Sequence, residues 1–170
     1  MIKGAVLLVA AAASAGCGSS SNAFRTASPI VLRLGWHTSS GGLSVTVRAL
    51  TVRADGWSVA ARIDNGTAQT LQIGRIHRPY PETTFGIAEV VGDEHALPPQ
   101  RYATRFDPPL PRTLSPGASW SGVFSGTTAL PAGHRFRVVF GTFFVQPPLL
   151  LAGRRYSRFN VYSDQSALLR

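Results

Sequence analysis

From Ile30 onward apolar side chains recur at alternate positions, and no stretch sustains the i, i+3, i+4, i+7 stripe of an amphipathic helix. Trp57, Val59, Ala61 and Ile63 alternate with Ser58, Ala60 and Arg62, which predicts a half-buried strand. It stops at Asp64, Asn65 and Gly66, where Asn-Gly tolerates positive φ. Upstream, Leu43, Val45, Val47 and Ala49 share one parity while Leu50, Val52 and Ala54 share the other, so a β-bulge is expected near Ala49. Phe85, Ile87 and Val91 alternate with a break at Glu89, and residues 92–95 read as a hairpin turn into a partner strand near Ala96 and Leu97. Trp120, Gly122 and Phe124 predict another strand, and Phe136, Val138 and Phe140 one more, with a Pro-Gly loop at 130–134 between them. A last strand is expected over 155–162.

These segments amount to about seven to nine short strands, with turn signals spaced as in a sandwich. Pro79, Pro81, Pro98, Pro99, Pro108, Pro109, Pro111 and Pro116 fall between them, where a missing amide hydrogen costs nothing. Parallel pairing would need helical crossovers, and no segment is long enough to supply one. The expected class is all-β, an antiparallel sandwich.

The stretches VTVRALTVRADGWSVAARIDNGT (45–67), LSPGASWSGVFSG (114–126) and RFRVVFGTF (135–143) together resemble immunoglobulin-like domains of actinobacterial lipoproteins. In such domains the first strand pair ends in an Asn, and an L-x-P-G turn introduces a strand that ends in a Phe-containing segment. Asn65, Pro116, Gly117 and Phe124 keep that pattern. The resemblance implies an extracytoplasmic immunoglobulin-like sandwich and no shared catalytic residue or ligand. The inter-sheet cysteine pair of antibody domains is missing, so Trp57 and Trp120 are expected to fill that part of the core.

The address is written before the strands begin. Residues 1–3 give a positive start, residues 4–13 are apolar and uncharged, and small residues follow at once, which is the grammar of an export signal. The run is shorter than the about 20 apolar residues that a membrane-spanning helix needs. Ala13, Ser14 and Ala15 form an A-x-A cleavage site, while Ser14, Ala15, Gly16 and Cys17 resemble a bacterial lipobox in which Ser14 stands where a large aliphatic is usual. Two features favour the second reading. An exported chain with one cysteine otherwise carries an exposed thiol or pairs between chains, and the segment after Cys17, GSSSNAFRTAS, has the composition of a flexible tether. Acylation of Cys17 with two or three chains, at about 0.8 kcal/mol per buried methylene, anchors a protein stably. The expected organisation is a signal over 1–16, an acylated Cys17 with a tether over 17–29, and one β-sandwich over 30–170.

Charge sharpens this only a little. The one lysine is Lys3, so sixteen arginines face eight carboxylates. Arginine forks suit phosphate and carboxylate, which points to anionic head groups or envelope polymers. The arginines are nevertheless scattered through the strands, and alanine-, glycine- and arginine-rich, lysine-poor usage is what a GC-rich genome produces. Nucleic acid is disfavoured by the export signal and by the lack of a basic helix, zinc-finger spacing or aromatic ribonucleoprotein motif.

Candidate chemistry is sparse. His37, His77, His95 and His134 lie far apart, in no metal-ligand spacing, so no metal or cofactor is expected. Ser119 lacks the second glycine of a nucleophile elbow and reads as a strand surface residue. Asp107 and Glu94 read as turn residues. The chain is therefore expected to bind or scaffold at the envelope without catalysis, its partners being the membrane through the Cys17 lipid and an envelope protein or anionic polymer. A loop-built hydrolase site is the less favoured alternative. One loop stands out, QPPLLLAGRR (146–155). If Leu149, Leu150 and Leu151 are exposed, they form an apolar patch beside Arg154 and Arg155, with Arg158 nearby, suited to a partner or to anionic head groups. If they fold back over an open edge they are ordinary core, and the rarity of exposed apolar patches favours that outcome.

Overall fold

The computed structural model describes residues 28–74, 84–90, 100–151 and 153–170, with Leu151 described by its backbone alone. The strands are β1 (Ile30–Ser40), β2 (Leu43–Arg53), β3 (Gly56–Asn65), β4 (Leu71–Ile73), β5 (Gly86–Glu89), β6 (Gln100–Tyr102), β7 (Arg105–Asp107), β8 (Thr113–Leu114), β9 (Ser119–Gly126), β10 (Arg135–Leu151), β11 (Arg154–Tyr162) and β12 (Ala167–Leu168). Every pairing is antiparallel, and the twelve strands form two sheets, an all-β, sandwich-like fold. This count exceeds the expected one because β4, β6, β7, β8 and β12 are only two or three residues long, too short to show a period of two.

One sheet runs β1-β2-β3-β9-β7. The other is organised by β10, which is 17 residues long. β5 and then β4 pair along one side of it, β12 and then β11 along the other. β6 lies outside β5, and β8 outside β4.

The alternation in the sequence maps onto burial. Trp57, Val59, Ala61 and Ile63 are buried, and Arg62 between them is exposed. The expected bulge occurs between Val47 and Ala49, leaving Arg48 without a partner on β3. Its effect passes to the next strand, where Leu34 and Gly35 together oppose Arg48 and Gly35 sits at φ 60, a conformation that glycine adopts without strain. After this slip Leu50 and Val52 return to the core while Ala49 is half-buried.

Phe85 is 0 % exposed and meets four other rings edge-on, Phe106, Phe124, Phe140 and Phe143, at centroid distances of 5.6 to 6.1 Å. Phe106 and Phe124 belong to β7 and β9, Phe140 and Phe143 to β10, so this one ring joins both sheets. Trp57 packs on Phe124 and Trp120 on Phe106, both indoles being buried in the core as expected. Ala88 and Val139 are buried as well, although they stand on the opposite parity from Ile87 and Val138. Gln100 Nε2 donates to the Tyr162 hydroxyl at 3.1 Å, a bond that reaches from β6 across β5 and β10 to β11 and covers them.

The end of β3 is tied by Asn65, which is 1 % exposed. Its Nδ2 donates to the carbonyls of Gln69 and Leu114, both at 2.8 Å, and its Oδ1 accepts from the Thr67 amide and hydroxyl. Its backbone N–H donates to Ala118 O, and its carbonyl accepts from Gly117 N–H. The Asn65 and LSPG elements, 49 residues apart, are thus one hydrogen-bonded unit. Pro108, Pro109, Pro111 and Pro116 lie between strands, whereas Pro79, Pro81, Pro98 and Pro99, and the turn expected at 92–95, are outside the described residues. The twelve strands and the described core lie within residues 28–170.

Candidate functional site

The segment read from sequence as the loop 146–155 is instead the far end of the β10–β11 hairpin. β10 has a partner on each side as far as Phe144, which faces Gln72 of β4 and Arg158 of β11. Beyond that point β4 ends, and among the described residues only β11 continues, with Leu149 opposite Tyr156, Leu150 opposite Arg155 and Leu151 opposite Arg154. Pro147 and Pro148 stand inside a strand for a physical reason. They lie where the register shifts between Phe144 and Leu149, on a stretch with no ladder on its β4 side, so their missing amide hydrogens remove no sheet bond.

This two-stranded arm has two unlike faces. Leu149 is half-buried against the core cluster, with Tyr156 across from it, and Phe159 at the arm's base packs on Phe143 at 5.6 Å. Leu150 turns the other way and is 66 % exposed, the most exposed large apolar side chain among the described residues. Its cross-strand neighbour is Arg155. The expectation that the leucines fold back as core therefore holds for Leu149 and fails for Leu150, because consecutive residues of a strand point to opposite faces. The side chain of Leu151 lies outside the described residues.

The arm is also a concentration of positive charge. Arg154, Arg155 and Arg158 are all exposed. Among the described residues they make no side-chain hydrogen bond or ion pair, in contrast to Arg62, Arg101 and Arg137. No Asp or Glu occurs between Asp107 and Asp164, so no carboxylate of the arm's own stretch neutralises them. Arg62, by comparison, is held by Asp64, whose carboxylate accepts from Nε at 2.8 and 3.0 Å and stands 2.6 Å from Nη2. That hydrogen bonding and the opposite charge raise the guanidinium further above its usual range.

The other candidates are dispersed. Cys17, His77, His95 and Glu94 lie outside the described residues. His37 shares a hydrogen bond with Thr46 at 3.1 Å on the outer face of the first sheet. His134 pairs with Glu89, which also stands 4.0 Å from Arg101, and the three hold the ends of β5, β6 and β10 together. Ser119 is an exposed residue of β9, and Asp107 closes β7. Among the described residues no group of three or more His, Cys, Asp or Glu is placed to hold a metal ion.

Sequence reasoning named the leucines and arginines of this segment but treated them as one patch. The signal that separates them was present: three leucines inside an extended segment must alternate, so one of two neighbours faces away from the body. The same parity brings Leu150 together with Arg155 and leaves Tyr156, unremarked in the sequence, beside Leu149. Comparison with protein-family models, curated proteins and solved structures finds no match to this chain.

Proposed function

We propose that this protein is a lipid-anchored module of the bacterial cell envelope that acts by binding, without catalysis, and that the β10–β11 arm is its contact with anionic envelope material. Residues 1–16 serve as the export signal, Cys17 carries the lipid, and residues 17–29 tether an immunoglobulin-like sandwich on the extracytoplasmic face. The lipobox-like stretch around Cys17 and the small polar residues after it support the anchor. The observation that carries the binding role is the arm itself, where three arginines exposed on β11 have no side-chain hydrogen bond or ion pair among the described residues and one of them, Arg155, stands directly across from the exposed Leu150. A buried or internally paired cluster would serve the fold. Among the described residues these groups make no side-chain hydrogen bond or ion pair that would serve it.

Two measurements test the reading. Expression in a bacterial host with labelled palmitate is expected to label the wild-type chain and to leave Cys17→Ser unlabelled. Labelling that survives the substitution, or never appears, removes the anchor. Separately, residues 28–170 are expected to be retained on purified cell envelopes, less so as salt rises and less so when Arg154→Ala and Arg155→Ala are combined. Salt-resistant, saturable retention would replace the anionic surface with a specific protein partner.

A further inference from the structure

We infer that the partner of the arm is the anionic lipid bilayer, with Leu150 entering the head-group layer while Arg154, Arg155 and Arg158 lie on lipid phosphates. This rests on the binding role proposed above and names its partner. Three observations select a bilayer over a soluble polyanion or a protein.

The first is the position of Leu150. On an anionic polymer a large exposed aliphatic side chain has nothing to contact, and arginines alone would suffice. At a membrane surface the same leucine loses water to the acyl boundary while its cross-strand neighbour Arg155 stays at the level of the phosphates. Leu150 and Arg155 share one face of the hairpin while Arg154 and Arg158 stand at alternate positions of β11 on the other, so a hairpin that enters edge-on brings the leucine to the acyl boundary with basic groups on both flanks.

The second is size. A specific protein interface covers about 800 Å² on each partner around an apolar or aromatic centre. Among the described side chains, the face of the arm that carries Leu150 offers that leucine and Arg155. That is too little for a stable protein contact on its own. A bilayer accepts it because phosphates are present at high density in any orientation, and arginine's planar fork pairs with each of them.

The third is the charge count. An acid-free stretch from Pro108 to Ser163 leaves no carboxylate to repel head groups on the arm. The ion pairs of the described residues sit elsewhere, on β3 and at the Glu89 rim.

The arm need not bind tightly. If Cys17 already sits in the bilayer, a tether over residues 17–29 has a root-mean-square reach of roughly 20 Å, which places the arm at an effective concentration on the order of millimolar. A weak second contact then suffices to hold the sandwich against the membrane instead of letting it swing.

The test uses residues 28–170, which contain every described strand and lack the lipid, with vesicles of phosphatidylcholine alone or mixed with phosphatidylglycerol, separated by flotation. Binding is expected on the mixed vesicles and not on the neutral ones, and it should weaken with salt. Each single Arg→Gln change at 154, 155 or 158 is expected to weaken it roughly fivefold, and the three together roughly a hundredfold. Leu150→Ser should weaken it roughly tenfold, and Leu150→Trp should strengthen it. All four sites are exposed, so an unchanged melting temperature shows that folding is not the cause. Loss with the arginines but no effect of Leu150→Ser overturns the bilayer assignment in favour of a soluble polyanion. Retention on whole envelopes with no vesicle binding also overturns it, while leaving the broader binding role standing. Equal binding to neutral and anionic vesicles overturns the role of the arginines.

Discussion

Residues 136–145 and 146–151 are consecutive parts of β10, yet they meet opposite conditions. In the first part the strand has a neighbour on both sides, and Phe136, Val138, Phe140, Phe143 and Val145 are sealed between two sheets. In the second part only β11 accompanies it, Leu149 still leans on the core and Leu150 stands in water. The difference lies in what surrounds the strand and not in local preference, since the second part has as many large aliphatic residues as the first. A side chain deep in a sandwich answers to packing, and one on a two-stranded projection is free to answer to something outside the molecule. Substitutions in the two parts are therefore expected to register in different measurements.

The sharpest way to break the body is at Phe85. Phe85→Ala removes a ring that four others meet edge-on, and the cavity would sit between the sheets. A loss of about 3–5 kcal/mol in unfolding free energy is expected, read by chemical denaturation. A loss under about 1 kcal/mol would mean that the two sheets are not joined through this ring. The envelope binding of whatever fraction remains folded should be unchanged.

Asn65 is next. Asn65→Ala takes a donor from the Leu114 carbonyl and an acceptor from the Thr67 amide in a buried place, leaving the Thr67 hydroxyl and the Gln69 carbonyl only each other, for an expected loss of about 2–4 kcal/mol. Asn65→Asp should be worse at neutral pH, because a carboxylate cannot donate to those two carbonyls. Its folded form would keep the proton that the unfolded form gives up, so the folded-state pKa is raised. The variant's stability is then greatest below the ordinary carboxylate range and falls as pH rises through neutrality. A pH-independent deficit would show that the side chain had swung out to solvent.

How much of this was readable beforehand follows from the same contrast. The strand alternation around Trp57, the bulge near Ala49, the indoles in the core and the antiparallel class all come from local patterning, because burial on one sheet face imposes a period of two. The link between Asn65 and the Leu114 to Gly117 turn was visible only as two kept fragments, since their contact depends on how β3 and β9 lie together. The central place of Phe85 was invisible, because a residue just before a short strand shows no sign of which rings will surround it. On the arm, composition drew attention to Leu149, Leu150, Leu151, Arg154 and Arg155, but reading 146–155 as a loop hid the parity that sends Leu149 and Leu150 to opposite sides. Pro147 and Pro148 continue a strand because among the described residues it has no neighbour on the β4 side there.

At the opposite end of β10 from the arm lies the rim formed by Glu89 with Arg101 and His134. The Glu89 side chain is mostly buried while both partners are more exposed, so Glu89→Gln is expected to cost about 1 kcal/mol. Added salt should shrink that deficit, because the partners are open to solvent. A deficit that salt leaves untouched would place the cause in packing instead.

The smallest expected effect has the opposite sign and is the most informative about the arm. Arg154, Arg155 and Arg158 crowd like charges onto one short hairpin whose own stretch has no Asp or Glu, and among the described residues no ion pair offsets them. Combining Arg154→Gln, Arg155→Gln and Arg158→Gln should therefore leave stability within about 0.5 kcal/mol of the original or raise it slightly, and any rise should be largest at low salt. Amide exchange should run faster over 149–158 than along β3 and β9 in both proteins, since a two-stranded projection opens more readily than a sheet interior. If the triple variant instead lost several kcal/mol, the arginines would belong to the architecture of the sandwich, and the arm would need no outside partner to explain them. A stable variant that no longer holds to the envelope would separate the β10–β11 arm from the body: the body makes the fold, and the arm meets what lies outside it.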